Sequence, residues 1–447
     1  MKNNCLRIII FLLLYLPMDT RAQLNIQSVD ADYLHRAIKQ VTDVIVHDIY
    51  SPPVASRIYA YVSIAGYEAA REANAGYVSF AGQLHGLKPL PKPVAGNAYN
   101  YQLAAVEAIL DVAATMIISE EKITTFHTSL LAEIKSTGIS TNEYDNSVEF
   151  GKQIATHIMA WAAEDNYKQS RSLSKYVVGK DAASWKPTPP GYMKAIEPNW
   201  NRMRTFLIDS AEQFKPLPPT PFSIDKSSQF YKEAKDVQEI GLSLTPEQTA
   251  IASFWDCNPF KMNINGHVMF ATKKISPGGH WVNIVRLACK KANADFVRSA
   301  EAYACLSITL ADGFISCWDE KYRSKVIRPE TYINQYISNS WLPLLQTPPF
   351  PEYTSGHSVV SAASSIILTK LFGDNFSFTD STEVEFRLPP RDFTSFKQAA
   401  KEAAISRFYG GIHYMPSITN GLDEGYKLGN FIADKLRTKK EDMAIVK

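Results

Sequence analysis

Between Phe296 and Lys321 one set of side chains returns every seven residues: Phe296, Tyr303, Leu310 and Cys317, with Ala300, Ser307 and Phe314 interleaved. That spacing draws a single buried stripe along one long helix. A helix of this kind has to be covered by other helices or by a sheet, and the sheet is absent from the pattern. No alternating apolar–polar run of useful length occurs, and no repeat of 20–50 residues is visible. Helical periodicity recurs instead over Tyr33–His47, Ala55–Ala73, Tyr101–Ile117 and Asn142–Glu164. Pro52-Pro53 separates the first pair, and Ser140 with Glu143 forms a capping box before the fourth. Thr245-Pro246-Glu247-Gln248 marks another start, with a cap, a first-turn proline and a reciprocal glutamine. The expected fold class is all-α, a helical bundle.

The 447 residues have room for two or three domains. Residues 1–22 have the form of a signal peptide: Lys2 and Arg7, the apolar run Ile8 to Leu16, then Thr20-Arg21-Ala22. The run is about half of the roughly 20 residues a spanning helix needs. A periplasmic or secreted protein without a membrane span is therefore expected. Residues 23–239 read as an N-terminal helical region with a Pro-rich strap (186–221), in which Trp185, Tyr192 and Trp200 argue for packing over helices. Residues 240–447 read as the core that carries the chemistry. Without the leader the chain holds 44 basic and 44 acidic residues, a balance that gives no footing for nucleic acid. Any cationic patch must be local. Cys257, Cys289, Cys305 and Cys317 lack metal-motif spacing. Cys305 and Cys317 are about 18 Å apart by helical rise, a Cys257–Cys289 bridge is conceivable, and free buried thiols are the preferred reading.

Three segments place polar groups where the periodicity points inward. Lys321 continues the stripe of the long helix, so its ammonium aims at the interior, and Arg328 stands before Pro329 at an extended turn into the next helix. A snorkelling lysine and a surface arginine are the alternative. Ser355-Gly356-His357 precedes the apolar face Val359, Ala362, Ala363, Ile366 and Ile367, which puts the three at a helix N-terminus, where free N–H groups favour an anion. A capping serine beside a chance histidine is the plain reading. Arg407 continues the inner stripe Phe396, Ala399, Ala400 and Ala403, and Gly410-Gly411 turns the chain so that His413 faces the same space. A buried guanidinium demands a counter-anion, either a core carboxylate or a ligand.

In order, these segments read K-x6-R-P, S-G-H and S-R-x5-H, and residues 240–437 thereby resemble the vanadium haloperoxidase and type-2 phosphatidic-acid phosphatase superfamily. The start at Ser51-Pro52-Pro53 and the strap are similar to longer exported bacterial haloperoxidases. The resemblance implies a helical bundle of the vanadium chloroperoxidase and acid phosphatase type. It implies that Lys321, Arg328 and Arg407, with Ser355 and the Gly356 amide, hold the oxygens of vanadate or phosphate. His357 would be the acid–base residue, and His413 the vanadium ligand or the phosphorylated nucleophile. The implied activity is oxidation of iodide or bromide by hydrogen peroxide, with a small organic acceptor. The alternative is a soluble exported acid phosphatase acting through phosphohistidine, and a non-catalytic anion binder is a third reading.

Two positions depart from the family pattern. Thr354 stands where proline usually precedes Ser-Gly-His. Ser417 stands four residues after His413, where an aspartate usually orients the imidazole; serine orients without supplying charge. Among other residues, Trp318 and Phe350 are candidates for cavity walls. His267 and His280 read as loop or packing residues, and Asp312 as a buried acid that helical geometry sets opposite Lys321. His35, His47, His85, His127 and His157 receive no role. Oligomeric state is not legible.

Overall fold

In the computed structural model, residues 31–444 are described with the exception of Gly266; the leader expected at residues 1–22, with Cys5, lies outside them. The N-terminal half holds α1 (Ala31–His47), α2 (Pro52–Ala70), α3 (Tyr101–Met116), α4 (Glu120–Ser136) and α5 (Thr141–Ala162). Pro52 and Pro53 do not break a helix but open one, behind the Ser51 cap, as proline's fixed φ and missing N–H allow at the first turn. The helix α4 has few apolar positions (only Ile123, Leu130 and Ile134 are buried), which is why its periodicity is hard to read.

The second half contains α6 (Gln229–Leu242), α7 (Pro246–Phe254), α8 (Pro277–Lys291), α9 (Phe296–Ser324), α10 (Pro329–Tyr336), α11 (Gly356–Phe372), α12 (Phe396–Tyr409) and α13 (Met415–Lys435). Two short antiparallel pairs join them: β1 (Met262–Asn265) with β2 (Val268–Ala271), and β3 (Phe378–Asp380) with β4 (Arg391–Phe393). Strands of three or four residues carry no period that a sequence can display.

The 29-residue α9 is the axis. Asp295 caps it by accepting from the Arg298 N–H, and Lys325 ends it in the left-handed region. It packs on α2, α8, α11 and α13. One hydrophobic cluster runs from Leu34 on α1 to Leu436 beyond α13, joining both halves of the chain. The Pro-rich strap lies over this axis. Asp312 accepts from the Phe206, Leu207 and Ile208 N–H groups at 2.7, 2.8 and 3.0 Å. Burial still raises its pKa, to about 6. Asp312 is thus a clamp for the strap on the side away from Lys321. Trp185 and Trp200 are buried as expected, whereas Tyr192 is exposed.

The closest helix pair places the site. Gly421, Gly425 and Gly429 form one stripe of α13 against α11. A Cβ on Gly425 would stand 2.2 Å from the Val359 carbonyl oxygen, and one on Gly429 2.9 Å from the Ala363 Cα. Only glycine lets the two backbones meet this closely. No described helix is long and apolar enough to cross a membrane.

Candidate active site

The structure brings all seven residues of the three segments together where the C-terminal ends of α9 and α12 meet the N-terminal ends of α10, α11 and α13. Lys321, Arg328 and Arg407 are at most 1% exposed, which excludes the snorkelling and surface alternatives. None of the three forms an ion pair with a carboxylate among the described residues. Removing such ions from water costs several kcal/mol each, and burial pulls all three pKa values down. Lys321 falls to about 8 and Arg328 to about 10, with mutual repulsion adding to the effect. The arrangement therefore favours an anion strongly.

The three cations differ in what they can offer. Lys321 Nζ donates to the Pro351 and Glu352 carbonyls, both at 3.1 Å, and to that of Thr354. Its three donors are thus occupied, so it orders the 351–354 loop and contributes charge. Arg328 donates from Nε to Phe350 O and from Nη1 to Ile412 O, both at 2.9 Å, while Nη2 has no partner among the described residues. Arg407 donates from Nη1 to the Trp255 carbonyl at 2.7 Å, and its Nε has no partner among the described residues. Buried donors left open are rare enough in proteins to point to a ligand.

Ser355 is the N-cap of α11, its Oγ accepting from the Ser358 N–H at 3.3 Å, which leaves its own O–H to donate. The amides of the first turn are free by helical geometry. A Cβ on Gly356 would make only ordinary contact with Trp318, at 3.7 Å, and Gly356 itself lines the cavity. His357 bonds to the Trp255 backbone, and its Nε2 is buried without a partner. Burial first, then Arg407, push its pKa well below the ordinary value, so the ring is neutral and Nε2 is a proton acceptor.

His413 is held from the side that the sequence left in question. Its Nδ1 lies 2.7 Å from Glu352 Oε1 and 3.3 Å from Ser417 Oγ. The carboxylate expected four residues downstream is missing, and Glu352, 61 residues upstream, takes its place. The expectation that serine leaves His413 without a charged partner is therefore corrected. A template based on local spacing along the chain cannot see an acid delivered by another segment. Glu352 also accepts from the Tyr414 N–H at 3.1 Å; burial raises its pKa, to about 7, against the pull of Arg328 and Lys321. With Nδ1–H donated to Glu352, Nε2 carries the lone pair, and Arg328 Nη1 stands 3.2 Å from it. Burial, followed by Arg328 and Lys321, keeps the imidazole neutral by lowering its pKa far below normal. Thr354, the other departure, uses its hydroxyl to donate to Glu424 at 2.8 Å.

These groups face a cavity walled by Phe260, Phe314, Trp318, Pro348 and Phe350. Trp318 and Phe350 are thus wall residues, with ring centroids 4.9 Å apart and Lys321 Nζ 5.2 Å from the Phe350 ring centre. His267 lies exposed in the β1–β2 turn. His280 is no loop residue. It sits in the first turn of α8, fully buried, and bonds to Asp380 and Cys257. The cap-plus-proline pair Ser276-Pro277 signalled that helix. All four cysteines of the described residues are free and buried, as preferred. Dry walls on one side and open donors with two neutral imidazoles on the other suit a tetrahedral oxyanion that reacts at its exposed face.

A family model described as the second helical-bundle domain of VCPO matches residues 337–441. The chain is similar to a bacterial vanadium-dependent iodoperoxidase of known structure at 49% identity, over 92% of this chain and 97% of that one, with a TM-score of 0.86. A bacterial vanadium-dependent chloroperoxidase in its holo form shares the fold at 14% identity, over 87% and 93% of the two chains, with a TM-score of 0.63. No curated protein sequence matches.

Proposed function

The chain belongs to the vanadium-dependent haloperoxidases, and from that membership we propose how its own residues divide the work, with iodide as the favoured halide. The observation that carries the reading is the set of buried cations that form no direct ion pair with a carboxylate among the described residues, opening on two neutral imidazoles. The residues fit vanadate: Arg328 Nη2 and Arg407 Nε are buried donors without partners among the described residues. The same set would also hold phosphate.

His413 offers Nε2 as the metal ligand, and Glu352 fixes its tautomer through Nδ1. Arg328, Arg407, the Ser355 hydroxyl and the Gly356 amide would hold the oxygens. Lys321 adds charge and keeps the 351–354 loop in place. Bound vanadate supplies a Lewis-acid centre that activates hydrogen peroxide toward halide without changing its own oxidation state. His357 Nε2, held by the Trp255 backbone, is placed to take a proton from incoming peroxide and return it. The aromatic wall excludes bulk water and admits a small polarisable anion, and the oxidant formed would pass to a small organic acceptor. The leader-like residues 1–22 support action in the periplasm or outside the cell. N-terminal sequencing of exported protein would then begin near Gln23.

The Glu352–His413 pair would equally serve a phosphohistidine, so ester hydrolysis is the control. Apo-protein reconstituted with vanadate is expected to oxidise iodide with peroxide, bromide less readily, and to hydrolyse phosphate esters weakly without vanadate. Ester hydrolysis with no vanadate-dependent halide oxidation would overturn the reading.

A further inference from the structure

Beside the anion site, and sharing Cys257 with the lining of its cavity, lies a second cluster to which the proposed halide chemistry gives no role. Cys257 follows α7, His280 comes from α8, and Glu383 comes from the single turn after β3; all three are buried. Their donor atoms form a tight triangle. Cys257 Sγ is 3.4 Å from His280 Nδ1, Nδ1 is 3.1 Å from Glu383 Oε1, and Sγ is 3.9 Å from that oxygen.

We propose that Cys257, His280 and Glu383 form a zinc site. A point equidistant from the three atoms is roughly 2.0 Å from each, close to zinc–nitrogen and zinc–oxygen bonds and a few tenths short of zinc–sulfur. The far nitrogen of the same ring, His280 Nε2, is 2.8 Å from Asp380 Oδ2. A carboxylate there fixes the tautomer of a metal-bound histidine and raises its basicity. The other oxygen of Asp380 accepts from the Thr382 N–H at 2.9 Å, so the supporting acid is itself held. A thiolate, an imidazole and one carboxylate select a borderline-soft ion over magnesium or calcium. The thiolate and Glu383 together neutralise a dication, and binding releases the thiol proton. Trp255 covers the His280 ring, with centroids 4.4 Å apart and an interplanar angle of 22°.

The ion would have a structural consequence for the anion site. Cys257 is two residues from Trp255, whose carbonyl holds Arg407 at 2.7 Å and whose backbone also holds His357. Zinc tying Cys257 to α8 and to the 380–383 turn would pin the backbone that aims both groups. The competing arrangement is a metal-free imidazolium held between Asp380 and Glu383.

The test uses untagged mature protein, folded in cells supplied with zinc and dialysed exhaustively. Elemental analysis is expected to give about one zinc per chain in the wild type, and under about one-fifth of that in Cys257→Ser and Glu383→Gln. Cobalt given in place of zinc should produce the thiolate-to-cobalt charge-transfer band, absent from Cys257→Ser. Wild-type protein without zinc overturns the proposal. So does equal zinc in wild type and variants, which would move the metal elsewhere, for example to Glu107, Asp111 and His127. Because the first measurement is on the wild type, the proposal can fail even where a variant folds poorly.

Discussion

His413 and His280 are both fully buried, each with a carboxylate within 2.8 Å, yet their rings are driven in opposite directions. Burial is the largest influence on each and favours the neutral ring. Around His413 the next contributors are Arg328, Lys321 and Arg407, which push the same way; around His280 they are Asp380 and Cys257, which reverse it. One carboxylate at hydrogen-bond distance therefore does not decide a histidine's state. The charge of the whole shell does. The cation-rich shell leaves Nε2 of His413 as a lone pair facing an anion site. The anion-rich shell makes His280 hold whatever positive charge it is offered, a proton or a metal ion.

The sharpest way to break this contrast is His413→Ala. Vanadate binding should disappear and iodide oxidation fall by at least about 1,000-fold, the scale of a lost group acting at the reacting centre. Equilibrium dialysis with vanadate checks it, and stoichiometric binding at unchanged affinity would remove His413 from the ligand role. On the other side, His280→Ala strands two buried carboxylates, a change costing about 3–5 kcal/mol. Thermal unfolding should show a drop of several degrees, with a smaller loss of vanadate affinity in the folded fraction. If the loss in vanadate-binding free energy exceeds the loss in stability, His280 acts on the anion site directly and not through the backbone it steadies.

Next in size is Glu352→Gln. Removing the orienting acid should weaken vanadate binding about 10- to 100-fold, and adding Ser417→Asp should recover most of the loss. Failure of that rescue, with Ser417→Asp alone harmless, would mean that Glu352 acts by ordering its loop. The smallest effect is expected of Trp255→Phe. It keeps the carbonyl that holds Arg407 but loses the indole bond to Glu402, so stability should fall by about 1 kcal/mol. Vanadate affinity should move less than threefold by the same titration, since about 0.6 kcal/mol corresponds to that ratio. A larger change would trace the link between the centres to the stacked ring.

The two centres were unequally legible. Lys321 and Arg407 lie on helical stripes, Ser355 to His357 at a cap, and Arg328 before a proline, so local rules found each and their order joined them. Glu352 escaped because its relation to His413 is made by a loop folding back across the end of α9, and no interval in the chain encodes that. His280 escaped for a different reason. Pro277-Gly278-Gly279 suggests a loop, whereas Ser276-Pro277 carries the same start signal as Thr245-Pro246. Asp380 and Glu383 belong to a three-residue strand and a single turn, elements too short for any period. The helices with strong stripes were readable, and α4, with three buried side chains, was not.

The glycine stripe of α13 has an effect that reaches past packing. Because α11 and α13 touch backbone to backbone, the turn that carries Ser355 to His357 is tied to the first turn of α13 through the main chain, the Ser355 N–H donating to the Ser417 carbonyl at 3.1 Å. The aromatic wall belongs to α9 and to flanking loops. Substitutions at Phe260, Phe314 or Phe350 therefore reshape the cavity wall without touching that backbone contact. Wall and anion cradle still meet on α9, which carries Phe314, Trp318 and Lys321 together.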